Sequence, residues 1–163
     1  MKTHGYGNAA SRYIVGTTDK IKELEGNLAK FYNTEDCVVL QSIYDANSGL
    51  YSVLFDKDDV IFTDEFNNAS SIDGIRLCKA KKVIFKHKDM AHLEEQLKNH
   101  QHCRMHCIVS DGVFAMHGDF SPYPEIVKLA RKYNAIIHCD ETYSTGLYGE
   151  TGRGAQEIQG CLG

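Results

Sequence analysis

One short stretch, from Ile136 to Gly146, holds the residue types from which a ligand site could be built. It starts as a mostly apolar run typical of a buried strand, reaches an acid at Asp140, and continues into a loop of small and hydroxyl residues. Ligands of open α/β sheets bind outside the carboxyl ends of the strands, and Asp140 falls at such an end. A carboxylate there could hold a cationic ring nitrogen, a metal ion or a ribose, and this stretch alone leaves all three open.

A second group of potential metal ligands is compressed into residues 100–107. Its members are His100, His102, Cys103, His106 and Cys107. No second ligand pair with zinc-finger spacing follows, so we interpret the group as a polar helix end that leads into a strand, and we predict no metal site. The six cysteines of the chain are interpreted as reduced thiols of a cytosolic-type compartment and not as a disulfide framework.

Length and charge restrict the classes of protein to which the chain can belong. Its 163 residues are enough for one domain with a real core. The net charge of −4 gives no reason to expect binding to nucleic acid or to an acidic membrane surface. The apolar runs are far too short to span a bilayer, and no signal peptide is visible. We therefore expect a cytoplasmic protein, or a mitochondrial one if the natural N-terminus lies upstream.

The periodicity of the apolar residues predicts an alternation of helices and strands. Capping residues and helical spacing predict helices over 19–32, 45–55, 69–78, 89–99 and 122–133. Continuous apolar runs predict strands over 37–40, 59–64, 82–85 and 107–111, and another from Ile136. Strands of that kind are typical of an α/β fold, with a parallel or mostly parallel sheet and helices on both faces.

The same periodicity predicts which side chains lie inward. In the first predicted helix the apolar stripe is Ile21, Leu24, Leu28 and Phe31. In the second, the inward residues are expected to be Ala46, Leu50, Val53 and Leu54. The strand at 37–40 is expected to be buried. Residues 1–18 are expected to form an N-terminal arm, and residues 149–163 contain no element that would close a domain.

Several longer motifs occur in one order along the chain. They are DANSGL at 45–50, ASSIDGIRLCKA at 69–80, DGVFAM at 111–116 and GETGRG at 149–154. In this order and at this spacing they resemble the α-oxoamine synthases and, within that family, the glycine C-acetyltransferases. The resemblance covers nearly the whole chain and rests on several independent motifs, which makes it more specific than any single one of them.

The resemblance implies a fold, a cofactor and a reaction. The fold is the large domain of the fold type I transferases that depend on pyridoxal 5′-phosphate (PLP), here a single incomplete domain over 1–163 without the small C-terminal domain. The implied reaction condenses glycine with acetyl-coenzyme A to give 2-amino-3-ketobutyrate. Family members pair as homodimers, so a homo-oligomer or a partner chain is expected.

The resemblance also implies positions for the cofactor. Asp140 takes the place of the acid that keeps the pyridine nitrogen of PLP protonated, so that the ring can accept electrons from the substrate. Ile43 and Tyr44 occupy the start of a helix whose backbone N–H groups hold the phosphate. The ring of Tyr44 is expected to lie against the cofactor.

At five positions the chain departs from the family pattern. Asn68 replaces the histidine that stacks on the ring, Tyr143 replaces a histidine near the ring hydroxyl, and Ala115 replaces a serine. His117 stands where the family has an aspartate, and Ile21 where it has a histidine. Asn68 cannot stack as a flat ring does, and Ala115 offers no hydroxyl, although Tyr143 can still donate a hydrogen bond.

The resemblance places the Schiff-base lysine of the family beyond Gly163. That lysine holds the cofactor covalently and removes the α-proton of the substrate. We therefore expect the 163-residue chain alone to be inactive and to bind PLP weakly or not at all, with no catalytic residue among those present. The alternative is a non-catalytic chain that serves as a binding or partner subunit. The fold type I sheet would place the neighbour of the 37–40 strand beyond Gly163 too, so we also expect the isolated chain to self-associate or to hold its N-terminal third loosely, up to about Phe55.

Overall fold

The computed structural model describes residues 2–5, 7 and 10–162. The described residues fall into two compact units, one up to Val39 and one from Leu40 to Leu162. No helix within the described ranges is long and apolar enough to cross a membrane.

The first unit contains a single-turn helix α1 (Arg12–Val15) and the longer helix α2 (Asp19–Tyr32). Helix α2 begins where predicted, because the Thr18 hydroxyl caps it by accepting from the N–H of Ile21. Its most buried side chain is polar, since Glu25 is 1% exposed whereas Leu24 of the predicted stripe is 46% exposed.

Glu25 is buried because three donors converge on its carboxylate. The guanidinium of Arg12 and the ammonium of Lys22 pair with it, and the backbone N–H of Val39 donates to Oε1 at 3.0 Å. The Arg12 guanidinium, followed by the Val39 N–H, holds the pKa of Glu25 down at about 2. This carboxylate ties the segment before α2 to the segment after it.

The predicted buried strand over Cys37–Leu40 is wrong. Residues 36–40 have no regular secondary structure, and the side chains of Val38 and Leu40 are 68% and 56% exposed. A strand needs a hydrogen-bonded neighbour, and the described sheet offers none to this segment. An apolar run alone was therefore not enough to make a strand.

The second unit has a sheet of β1 (Val60–Asp64), β2 (Lys81–Phe85), β3 (His106–Asp111) and β4 (Ala135–Asp140). The strands lie in the order β2-β1-β3-β4 and are all parallel. The helices are α3 (Ile43–Leu54), α4 (Ala69–Leu77), α5 (Met90–Asn99), α6 (Tyr123–Tyr133) and the single turn α7 (Ala155–Ile158). These elements confirm the predicted α/β fold, and their bounds lie close to those predicted.

Alternate residues of the strands face two separate cores. Phe62 of β1 packs in one core with Leu93 of α5 and Ile126 of α6, whereas Ile61 packs in the other with Tyr51 of α3. Leu93 is fully buried in this core. The sheet is thus covered by helices on both faces, as a parallel sheet requires.

The inward face predicted for α3 is wrong. The buried residues of this helix are Asn47 and Tyr51, while Val53 is 81% exposed. The reason is the close crossing with α4, where a Cβ on Gly74 would lie 2.2 Å from the carbonyl oxygen of Asn47. The buried side of α3 is therefore the side that touches α4, although it carries a polar residue.

Candidate functional site

Three carboxylates lie at the carboxyl ends of neighbouring strands. Asp64 ends β1, Asp111 ends β3 and Asp140 ends β4, and each is at most 5% exposed. Asp111 and Asp140 are register partners across the β3–β4 pair. Ligands of open α/β sheets bind at this edge, so the buried acids mark the candidate site.

Both oxygens of Asp140 accept hydrogen bonds. Oδ1 accepts from the backbone N–H of Thr142 at 3.0 Å and from the Thr142 hydroxyl. Oδ2 accepts from the side-chain amide of Asn47 at 3.1 Å. The carboxylate is therefore held by its own loop on one oxygen and by a distant helix on the other.

Asn47 is the link between the helices and the acid. Its amide nitrogen also lies 3.0 Å from the Ser70 hydroxyl and 3.3 Å from the Ser71 hydroxyl, both on α4. Our sequence reasoning used Asn47 only as part of a motif and missed its contact with Asp140. The available signal was the i, i+4 spacing of Asn47 and Tyr51, which places the two side chains on one face of a helix.

Asp111 is the acid whose hydrogen bonding is incomplete. Its Oδ2 accepts from the backbone N–H of Asn68 at 2.9 Å, whereas the buried Oδ1 has no hydrogen-bond partner among the described residues. Burial, followed by the negative charge of Asp140, raises the pKa of Asp111 to about 7. Two carboxylates on adjacent strands favour a proton or a cationic group between them.

The start of α3 offers backbone donors. Ser42 caps the helix by accepting from the N–H of Asp45 at 3.0 Å, so the N–H groups of Ile43 and Tyr44 face out of the first turn. Both side chains are partly exposed, and the Tyr44 hydroxyl donates to Asp73 Oδ2 at 2.7 Å. Tyr44 is thus held by α4, and its backbone remains suited to an anion.

The other predicted site residues make fewer contacts with the three acids. Asn68 joins the acid cluster through its backbone contact with Asp111, while its side chain caps α4 by accepting from the N–H of Ser70 at 3.0 Å. Ala115 follows β3 and is exposed, and Tyr143 lies in the turn after Asp140 and is 45% exposed.

The loop after β4 is shaped around Glu141. Its Oε2 accepts from the Ser144 hydroxyl and from the N–H of Ala155, the latter at 2.9 Å. A Cβ on Gly154 would lie 2.4 Å from that oxygen, and Gly154 has a φ of +90° that favours glycine. These contacts fix the loop that carries Thr142, and hence one side of Asp140.

A histidine cluster, which sequence reasoning missed, lies at the same sheet edge around Asp64. His87 bridges Asp64 Oδ1 at 3.0 Å and Asp119 Oδ2 at 3.1 Å. Burial lowers the pKa of His87, but the two carboxylates outweigh it and the net shift is upward. Phe66 stacks on His117 in this cluster with ring centroids 4.5 Å apart.

Two of the three histidines of the 100–107 group make backbone contacts. His100 Nδ1 lies 2.8 Å from the carbonyl oxygen of Gln96, and His106 Nε2 lies 2.9 Å from the carbonyl oxygen of His100. Within the described ranges, no three His, Cys, Asp or Glu residues are grouped so that they could hold a metal ion.

Comparison with known sequences gives consistent matches. The family described as "Aminotransferase class I and II" matches residues 5–161. The mitochondrial 2-amino-3-ketobutyrate coenzyme A ligase of Bos taurus is 43% identical over 162 residues, covering 99% of this chain and 39% of the bovine protein. The 8-amino-7-oxononanoate synthase of Petrotoga mobilis is 46% identical over 156 residues, covering 94% of this chain and 40% of that protein.

Solved structures also match nearly the whole chain. Serine palmitoyltransferase of Sphingomonas wittichii matches with a TM-score of 0.91 and 36% identity, over 98% of this chain and 40% of that one. The enzyme of S. paucimobilis, solved with a bound PLP–myriocin aldimine, matches with a TM-score of 0.89 and 34% identity, over 99% of this chain and 41% of that one. The chain spans about two fifths of the length of these relatives.

Proposed function

Because this chain belongs to the aminotransferase class I and II family and, within it, to the PLP-dependent α-oxoamine synthases, we propose that it contributes the cofactor-binding part of a glycine C-acetyltransferase. The reaction would join glycine to the acetyl group of acetyl-coenzyme A and release coenzyme A. The observation that carries the proposal is Asp140, a buried carboxylate at the carboxyl end of β4 whose two oxygens are fixed by hydrogen bonds from Asn47 and Thr142.

The described residues fit PLP at two places. Asp140 would hold the pyridine nitrogen, and the orphaned oxygen of the neighbouring Asp111 marks this corner as incomplete without a further polar group. The N–H groups of Ile43 and Tyr44 would hold the phosphate, because the start of a twelve-residue helix carries partial positive charge. When bound, PLP supplies an electron sink next to the α-carbon of the amino acid.

We assign Asn68, Ala115 and Tyr143 to the rim of this site. The carboxamide oxygen of Asn68 accepts from the N–H and the hydroxyl of Ser70, so its side chain is committed to capping α4. Tyr143 can donate a hydrogen bond from its exposed turn. With Asn68 unable to stack as a histidine does, and with the covalent lysine expected outside residues 1–163, the chain alone should hold PLP only reversibly.

A cofactor-binding measurement tests the proposal. Equilibrium dialysis of the 163-residue chain should show weak, reversible PLP binding, and Asp140→Ala should weaken it further because the ring nitrogen loses its partner. Asp58→Ala is the matched control, since Asp58 is exposed and precedes β1 at the opposite end of the sheet. Equal affinity of Asp140→Ala and the unaltered chain would refute the assignment of Asp140.

A second candidate function is a non-catalytic partner subunit. It is favoured by Asn68, Ala115 and Tyr143, which together replace two histidines and a serine that the family resemblance places around the ring. Both candidates predict no glycine-dependent release of coenzyme A by this chain alone, because no described residue is placed as the base for the α-proton. A thiol-release assay with glycine and acetyl-coenzyme A measures this, and turnover that disappears in Asp140→Ala would contradict the prediction.

A further inference from the structure

We propose that Asn47 is a positioning residue that holds Oδ2 of Asp140, the carboxylate oxygen that would receive the cofactor ring, in place. The inference rests on the proposed function, because it takes Asp140 to be the partner of the pyridine nitrogen. Asn47 lies on α3, 93 positions from Asp140 in the sequence, and it is 1% exposed.

The hydrogen bonds of Asp140 leave one acceptor position open. An ionised carboxylate has about four acceptor sites, two on each oxygen. Thr142 fills both sites of Oδ1 with its N–H and its hydroxyl. Asn47 fills one site of Oδ2 at 3.1 Å. The remaining site is on Oδ2, so a ring N–H bound there would share that oxygen with the Asn47 amide.

Asn47 has little freedom to move away from this position. Its amide nitrogen is also held by the hydroxyls of Ser70 and Ser71. Its backbone is pressed against α4, because the absent Cβ of Gly74 leaves room for the carbonyl oxygen of Asn47. The helix crossing therefore sets the amide position to which Asp140 Oδ2 is bound.

The electrostatics of the corner require such a donor. Asp140 has Asp111 as its register partner on β3, and the negative charges of the two disfavour each other. The fixed N–H of Asn47 donates to Oδ2 at 3.1 Å and faces the negative charge with a partial positive one. Without it, we expect the carboxylate to rotate, so that Oδ2 would no longer face a protonated ring.

Two substitutions separate this role from simple packing. Asn47→Leu keeps a similar volume but has no donor, and Asn47→Asp keeps the shape but replaces the donor by a third carboxylate. Each should weaken PLP binding about tenfold or more, since a hydrogen bond to a charged group is lost. Asn47→Asp should recover affinity as the pH is lowered, because protonation restores a donor, whereas Asn47→Leu should not.

Ser48→Ala is the matched control, since Ser48 is next to Asn47 on α3 and its hydroxyl has no hydrogen-bond partner among the described residues. Circular dichroism confirms that each variant folds. PLP labelled with ¹⁵N in the ring gives a signature independent of turnover, because its chemical shift reports whether the ring nitrogen is protonated. We expect a protonated signal with the unaltered chain and with Ser48→Ala, and a diminished one with both Asn47 variants.

The outcomes distinguish the inference from the proposed function. If Asp140→Ala weakens binding while both Asn47 variants bind as the unaltered chain does, the positioning role is overturned and the proposed function stands. If Asp140→Ala binds normally, both fail. If Ser48→Ala loses as much affinity as Asn47→Leu, the effect is one of packing and the inference fails. The unaltered chain gives a test that needs no variant: the side-chain amide resonances of Asn47 should shift on addition of PLP, and those of the exposed Asn99 should not.

Discussion

At the scale of single residues, the most consequential group is the carboxyl of Asp111, in which only one oxygen has a hydrogen-bond partner among the described residues. Its pKa in the folded chain is about 7, against an ordinary value of 3.8. Burial is the main cause, and the charges of Asp140 and Asp64 add to it, while the N–H of Asn68 acts in the opposite sense. Between pH 3.8 and about pH 7, the folded state therefore keeps a proton that the unfolded state has released.

The raised pKa of Asp111 predicts how the stability of the chain depends on pH. Because the folded chain is the one that keeps the proton, its free energy of unfolding should fall as the pH rises from about 4 towards 7. A tenfold change in proton affinity is worth about 1.4 kcal/mol, so the loss is of the order of a few kcal/mol. Asp111→Asn removes the titrating group and should be the more stable variant at pH 8, with a smaller advantage at pH 4.5. Urea unfolding at both pH values measures this, and parallel stability curves would contradict it.

Sequence reasoning found Asp140 because an acid at the end of an apolar run is visible in one stretch of the chain. It missed Asn47 and the Asp64–His87–Asp119 bridge, because each joins elements that are far apart in sequence. Residue type and spacing predict a local element well, but they do not show which elements converge. The positions of Ile43, Tyr44, Asn68, Ala115 and Tyr143 came from the resemblance, and their roles stay predictions.

At the scale of elements, the crossing of α3 and α4 controls the site. Sequence periodicity placed both helices correctly but chose the wrong face of α3, because it counted apolar residues. The buried face instead carries Asn47, whose side-chain amide makes hydrogen bonds in place of apolar contacts. It also carries Tyr51, whose hydroxyl is hydrogen-bonded to His138. A helix that supplies a polar residue to a site breaks the apolar pattern at that residue.

Two glycine substitutions should have opposite effects on this helix pair. A Cβ at Gly74 would lie 2.2 Å from the carbonyl oxygen of Asn47 and 2.9 Å from the Tyr51 ring. Gly74→Ala should therefore destabilise the chain by about 1–3 kcal/mol or more, as overpacking does. A Cβ at Gly49 meets nothing within 4 Å, so Gly49→Ala should stabilise α3 by up to about 1 kcal/mol. Thermal unfolding of the two variants checks both signs, and a neutral Gly74→Ala would show that the helices can separate without cost.

At the scale of the whole molecule, the exposed apolar surface is the feature that needs an explanation. Val53 and Leu77 are 81% and 70% exposed on α3 and α4. Edge strands β2 and β4 expose Ile84 and Ile136, each at 51%. Sheet edges and apolar patches of this kind are sites of association with other chains. The relatives are more than twice as long as this chain, so in those proteins further chain is available to cover the corresponding surfaces.

The isolated chain should therefore self-associate or hold its N-terminal part loosely. The structure narrows the loose part to the segment before α3, because Tyr51 and Phe55 at the other end of that helix are buried. Residues 36–40 lack regular secondary structure, and the N–H of Val39 is hydrogen-bonded to the carboxylate of Glu25. Hydrogen exchange should be fast at Val38 and slow in the central strands β1 and β3, whose amides lie in the parallel ladder. Analytical ultracentrifugation should show species larger than the monomer that increase with concentration. A monodisperse monomer in which Val38 is as protected as Ile108 would mean that the 37–40 segment has found a strand partner, and both parts of the prediction would be wrong.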